Sequence, residues 1–252
     1  MSRAQPHLTV VADANALAQL AAEHVMAQVM AHVNGGGDRS AICLAGGSTP
    51  VRLYELMTSE PYRNAMPWRR IHWFWGDERL VPHDDPRSNF AMARRLLLDR
   101  VPVPPSNIHA IPTSSASADE AARRYETELR HFYGADQLDP HRPLFDVVLL
   151  GVGPDGHTAS LFPGHAELEQ TRRWVVGVGE PGLEPFVPRV TLTFPALAST
   201  REMLFLVSGH GKREIMTRIL AKTDLPATRA YAEGSLVWLV DRDAAPEQRD
   251  VA

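Results

Sequence analysis

The sequence predicts an α/β fold, a mainly parallel sheet with helices on both faces, and three observations carry that expectation. Short runs of β-branched and aromatic residues alternate with segments of helical spacing, the order that builds parallel strands joined by helical crossovers. The run at 146–150 is apolar almost throughout, as in a strand buried on both faces. Several of these runs end in glycines or charged residues. Those ends share the carboxyl edge of a parallel sheet, where open α/β folds bind ligands.

Length and charge set the outer limits. The chain has 252 residues, which fits one large domain or two small ones and suffices for a sizeable core. It contains no internal repeat or low-complexity linker, so the expectation is a single domain over 1–252. The formal charge of −4 argues against a nucleic-acid surface. No apolar run reaches membrane-spanning length, and no signal peptide precedes Ala4-Gln5-Pro6-His7, so a cytoplasmic protein is expected. The single cysteine, Cys43, lies in a buried-strand pattern and reads as a packed thiol rather than a nucleophile.

Taken in order, 7–11 reads as a strand and Asp13 as the cap of a helix with Leu17, Leu20, Ala21, Val25, Val29 and Val33 at helical spacing. Asn34-Gly35-Gly36-Gly37 ends that helix. A strand at 41–45 leads into Gly46-Gly47-Ser48-Thr49-Pro50 and a further helix. Glycines free the backbone, Ser48 or Thr49 can cap, and Pro50 suits a first helical turn, so this loop is a candidate anion site. The aromatic strand 71–75 ends in Gly76-Asp77-Glu78-Arg79, which reads either as a solvated loop or as part of a site. His83-Asp84-Asp85 offers consecutive ligands that cannot easily converge on one ion and reads as a solvated loop. Ser88 caps a helix over 89–100, a short strand follows at 107–111, and Ser117-Ala118-Asp119-Glu120 matches a capping box opening a helix to about 132. Strands follow at 174–178, 189–193, 203–207 and 236–240. A loop with Pro181, Gly182, Pro185 and Pro188 lies between the first two, and a helix over 213–221 follows the third. Lys212, beside glycines at the start of that helix, either reaches a phosphate or points to solvent.

The organising stretch is the strand at 146–150 with the turn Gly151-Val152-Gly153-Pro154-Asp155-Gly156-His157. It satisfies the dinucleotide pattern Gly-x-Gly-x-x-Gly, but Pro163-Gly164 leaves no room for the long helix whose amino end would meet a pyrophosphate. Nicotinamide and flavin binding are therefore not expected, and no cofactor is. Gly-Gly-Ser-Thr, Asp-Glu-Arg, Asp-Gly-His and Gly-Lys sit at four strand ends and can converge on one pocket. The set supplies amides and cations for a phosphate, with a histidine and carboxylates for proton transfer. The sequence lacks a nucleophile elbow, a Walker loop and a His-Glu-x-x-His metal motif. Metal-independent acid/base chemistry on a small phosphorylated molecule is the reading.

Three motifs carry a closer resemblance: 44–50, Gly76-Asp77-Glu78-Arg79 with Ser88-Asn89, and 153–163. With Arg189-Val190-Thr191-Leu192-Thr193 and Ser208-Gly209 through Lys212, they make the chain resemble the 6-phosphogluconolactonase family. Val152 stands where many relatives carry methionine. The sister glucosamine-6-phosphate isomerases follow Asp-Glu with tyrosine, where this chain has Arg79, and carry glutamate where it has Phe162. The resemblance implies a modified Rossmann-like fold and hydrolysis of 6-phospho-D-glucono-1,5-lactone in the oxidative pentose phosphate pathway. It implies His157 as general base, Asp155 orienting it, and Gly46, Gly47, Ser48, Thr49, Asp77, Arg79, Arg189 and Lys212 around the substrate and its phosphate. The expected partner is the small phosphorylated lactone, with no nucleic acid and no membrane. The alternatives are a sugar-phosphate isomerase or a non-catalytic sugar-phosphate binder.

Overall fold

The computed structural model describes residues 5–179, 181 and 183–247; Ala4 and Gly182, noted above, lie outside them. In chain order the elements are β1 (His7–Val11), α1 (Ala14–Asn34), β2 (Ser40–Leu44), α2 (Val51–Met57), α3 (Tyr62–Ala65), β3 (Ile71–Trp75), β4 (Asp77–Arg79), α4 (Asn89–Leu96) and α5 (Ala118–Tyr133). Then follow β5 (Phe145–Leu150), β6 (Val175–Val178), β7 (Arg189–Leu192), α6 (Phe194–Ala198), β8 (Thr200–Val207), α7 (Arg213–Leu220), α8 (Pro226–Arg229) and β9 (Ser235–Asp241).

Six strands form one sheet in the order β1-β9-β8-β5-β2-β3, every pair parallel. Every residue of β2 and of β5 is buried, as both-face coverage of a parallel sheet requires. From β2 the chain steps outward to β3. It later returns to the opposite side of β2 with β5 and walks away through β8 and β9. The direction of winding therefore reverses between β2 and β5, and a crevice opens there at the carboxyl ends. Asp146, the one acid inside β5, is tied down by the Ala41 amide at 2.9 Å, His32 at 2.8 Å and Arg201 at 3.0 Å.

Several local expectations are refined. Of the two readings of Gly76-Asp77-Glu78-Arg79, the solvated loop is the one excluded: residues 77–79 are β4, the edge of a second, antiparallel sheet ordered β4-β7-β6. The strand expected at 189–193 is present as Arg189–Leu192, β7, but it lies in this second sheet, antiparallel to β4 and β6. The 107–111 run forms a single bridge, Trp73 to Ile108, and its first residue belongs instead to a short 3-10 turn, Pro105–Asn107. The helix from Asn89 stops at Leu96, where Leu97 leaves the helical region at φ −128°. Neither Ser48 nor Thr49 caps α2; Pro50 holds the N-cap position with helical backbone angles and no side-chain bond. The Ser117 box closes on one side only: Ser117 Oγ accepts from the Glu120 amide, while the Glu120 carboxylate accepts from Ala116.

On β3, His72 Nδ1 lies 2.8 Å from His109 Nε2, and His109 Nδ1 lies 2.7 Å from Glu128. Burial, then the neighbouring His109 and Arg39, push His72 down to about 4. The unfolded chain takes up that proton near the ordinary value of about 6.5, so between about 4 and 6.5 the unfolded state binds more protons. Stability is therefore expected to fall as pH drops through that window, and His72→Gln to flatten the fall. Melting temperatures of both proteins from pH 7 to 4 check this; parallel curves would remove His72 from the acid response.

Candidate active site

Four strand ends build the site. After β2, the chain passes through Gly46, Gly47, Ser48 and Thr49, whose amides form no hydrogen bond among the described residues. Gly46 must be glycine because the Asn89 side chain lies against it: a Cβ there would meet Asn89 Oδ1 at 1.9 Å. Asn89 Nδ2 in turn donates to the Asp77 carbonyl at 2.9 Å, joining the loops after β2 and β3.

After β3, Asp77 and Glu78 are buried. Asp77 Oδ2 accepts from Ser160 Oγ at 2.6 Å and Oδ1 from Asn89 Nδ2 at 3.3 Å, so this carboxylate ties the loop to the histidine turn. Glu78 accepts from the amides of Arg79, Asn89 and Phe90 and from Ser88 Oγ, at 2.7–2.9 Å. Burial raises the Glu78 pKa and these four donors pull against it. Arg79 and Arg189 are direct cross-strand partners on β4 and β7. The Nε of each is buried without a partner. Like charges opposed across a ladder repel, and an anion between them removes that cost. Burial lowers the Arg189 pKa, with Asp77 opposing the shift.

After β5, the turn folds back so that the Gly153 amide donates to the His157 carbonyl at 2.8 Å. The imidazole covers Gly153 so closely that a Cβ would sit 2.1 Å from Nδ1. Gly153, the middle glycine of the dinucleotide-like pattern, thus has another cause. His157 Nδ1 lies 2.6 Å from Asp155 Oδ1, which also accepts from the His157 amide at 3.1 Å. Burial opposes ionisation of Asp155, but its bond to His157 and the nearby charge outweigh this and hold the carboxyl below its usual range. Ionised Asp155 fixes the proton on Nδ1 and leaves Nε2 free to accept one. Phe162, fully buried, packs on the imidazole with ring centroids 4.7 Å apart.

After β8, Asp241 at the end of β9 accepts from Ser208 Oγ and, at 3.0 Å, from the Gly209 amide. Lys212 follows, its Nζ donating to the Val152 carbonyl at 2.7 Å. Burial lowers its pKa, and Asp155 counters part of that. Lys212 thus points inward, bridging the loops after β8 and β5.

These loops enclose a cavity of about 460 Å³, a size suited to a small molecule. Gly46, Gly47, Ser48, Thr49, Asp77, Arg79, Arg189, Lys212 and His157 are all among the residues that line it. Asp155 is not part of the wall; its carboxylate bonds to His157, which is. Sequence reading missed Asn89 as a wall residue, although Ser88-Asn89 was part of the motif, and missed Leu183 and Glu184 at the rim. Ala159, also on the wall, adopts φ 49°, a left-handed conformation with no sequence signal. Among the described residues no group of three or more His, Cys, Asp or Glu side chains could hold a metal ion.

A family model described as glucosamine-6-phosphate isomerases/6-phosphogluconolactonase matches residues 12–238. The chain belongs to this family. A 6-phosphogluconolactonase of Synechocystis is 40% identical over 215 residues, covering 84% of this chain and 85% of that protein. One from Streptomyces coelicolor is 35% identical over 252 residues, covering 96% and 94%. The crystal structure of the Thermotoga maritima 6-phosphogluconolactonase superposes with a TM-score of 0.80 at 34% identity, over 94% of this chain and all of that one. A monomeric glucosamine-6-phosphate deaminase shares the fold with a TM-score of 0.76 at 21% identity. Fold alone therefore does not separate the two branches, and residues must.

Proposed function

We propose that the chain hydrolyses 6-phospho-D-glucono-1,5-lactone to 6-phospho-D-gluconate, without a metal, as a single α/β domain acting in the cytoplasm within the oxidative pentose phosphate pathway. One observation carries the reading: a carboxylate-oriented histidine opens into the same cavity as four free amides and three cationic side chains. The amides of Gly46–Thr49 with Lys212, Arg79 and Arg189 hold the phosphate by charge-assisted hydrogen bonds. That anchors the lactone with its carbonyl toward His157. Nε2 takes a proton from water as the water oxygen bonds to C1, giving a tetrahedral oxyanion. Collapse breaks the bond from C1 to the ring oxygen, which takes the proton back from Nε2, and the acid product ionises. Asp155 steadies the imidazolium between the two transfers without giving up its own charge.

The names of the relatives support the lactonase branch, and so does Phe162, an apolar ring beside the imidazole that cannot relay a proton in ring opening. Offering the purified protein the phosphogluconolactone and glucosamine 6-phosphate separately is the test. Acid release above the spontaneous rate from the first is expected. Ammonia release from the second would move the chain to the other branch, and binding without turnover would make it a binder. Turnover is also expected to survive exhaustive chelation; loss restored by added zinc or magnesium would overturn the metal-free mechanism.

Among the described residues no helix is long and apolar enough to cross a membrane. Cys43 is fully buried, and burial pushes its thiol well above the ordinary range, so it takes no part in the chemistry.

A further inference from the structure

The crevice opens because β2 and β5 part company early. Their ladder is confined to Ile42 with Val147 and Cys43 with Val148. Backbone groups alternate sides along a strand. The Leu44 carbonyl accepts from Gly76 on the β3 side, so the N–H and C=O of Ala45 face β5, where the ladder has already ended. Trp75 presents the same problem on the sheet's outer edge, since β3 is the last strand. Buried backbone groups without partners are costly. In both places one tyrosine hydroxyl resolves the cost. Tyr54 Oη donates to the Ala45 carbonyl at 2.7 Å and accepts from the Ala45 amide at 3.1 Å. Tyr125 Oη donates to the Trp75 carbonyl at 3.2 Å and accepts from the Trp75 amide at 2.9 Å. Each hydroxyl stands in for a missing neighbouring strand.

The two gripped residues are the last before the two loops that supply the anion cradle: Ala45 precedes Gly46–Thr49, and Trp75 precedes the segment that delivers Arg79. We propose that Tyr54 and Tyr125 are positioning residues for phosphate capture, their hydroxyls fixing the direction in which each loop leaves the sheet. Both side chains are fully buried. Burial pushes both phenols far above their ordinary range, so each hydroxyl keeps the proton it must donate. The inference rests on the lactonase reading for what the cradle holds, but not for the grip itself.

Tyr133 supplies an internal control. Its hydroxyl likewise donates to one backbone carbonyl and accepts from one amide, here of two different residues, Arg142 at 2.8 Å and Asp139 at 2.9 Å. Those bonds lie in the turn entering the amino end of β5, away from the cavity. Tyr54→Phe, Tyr125→Phe and Tyr133→Phe each keep the ring and delete one hydroxyl. All three are expected to lower the melting temperature. Only Tyr54→Phe and Tyr125→Phe should raise KM for the phosphorylated lactone and Kd for 6-phosphogluconate, by about tenfold each, with kcat changing less. Melting losses in all three with KM and Kd unchanged would reduce the tyrosines to plain structural bonds and overturn the inference. If one variant does not fold, Kd of the other carries the test. Should the parent fail to hydrolyse the lactone, the functional reading falls, while the variant-to-parent ratio of inorganic phosphate affinity still decides on the grip.

Discussion

His157→Ala is expected to lower turnover of the phosphogluconolactone by about 10²- to 10⁴-fold while melting temperature and 6-phosphogluconate affinity stay near parental. The split follows from the site's layout. The imidazole faces the cavity from the turn after β5, whereas the cradle amides follow β2 and the cations come from β4, β7 and the segment after β8. Removing the ring therefore deletes the base and leaves the anchor. Asp155→Asn should lower turnover as well, because a neutral amide neither fixes the Nδ1 proton nor steadies the imidazolium. Spontaneous lactone hydrolysis must be subtracted from every rate. A folded His157→Ala protein with near-parental turnover would remove the histidine from the mechanism.

Lys212→Ala and Arg79→Ala should do the opposite, weakening capture more than chemistry. Each deletes a charge-assisted contact to phosphate, a kind worth roughly 1.5–3 kcal/mol, or about 10- to 100-fold in KM. Arg79→Ala also relieves its repulsion with Arg189, so its measured loss should be the smaller of the two. With a lactone lacking the phosphate both losses should largely vanish. Equal losses on both substrates would mean that these cations act on the reacting carbonyl.

Much of this was legible because strand ends announce themselves. A buried run stopping at glycine and charge marks a carboxyl edge, and parallel strands share that edge, so four segments distant in sequence can be brought together from the sequence alone. The histidine turn was legible for the same reason, though its glycine spacing misleads: Gly153 is dictated by the imidazole lying over it, not by a pyrophosphate. What could not be read were contacts set by register between distant segments. Nothing in Asp77-Glu78-Arg79 says that it will pair with 189–191, and without that pairing the facing arginines are invisible. Glu78 looks like one more surface acid, yet it collects four donors from two elements. Tyr54 and Tyr125 fit ordinary core positions of helices, because a hydroxyl's partner is decided by where two strands diverge. By residue type Ser48 or Thr49 can cap α2, yet neither does, since Pro50 already sets the first helical backbone angles.

The proposed mechanism requires one substrate orientation: phosphate in the Gly46–Thr49 cradle, reacting carbon at His157. A crystal structure with 6-phosphogluconate bound decides it. Phosphate oxygens are expected within hydrogen-bond distance of those amides, of Lys212 and of Arg79, with the C1 carboxylate beside His157 Nε2. A phosphate seated against His157, with the carboxylate in the glycine cradle, would contradict it.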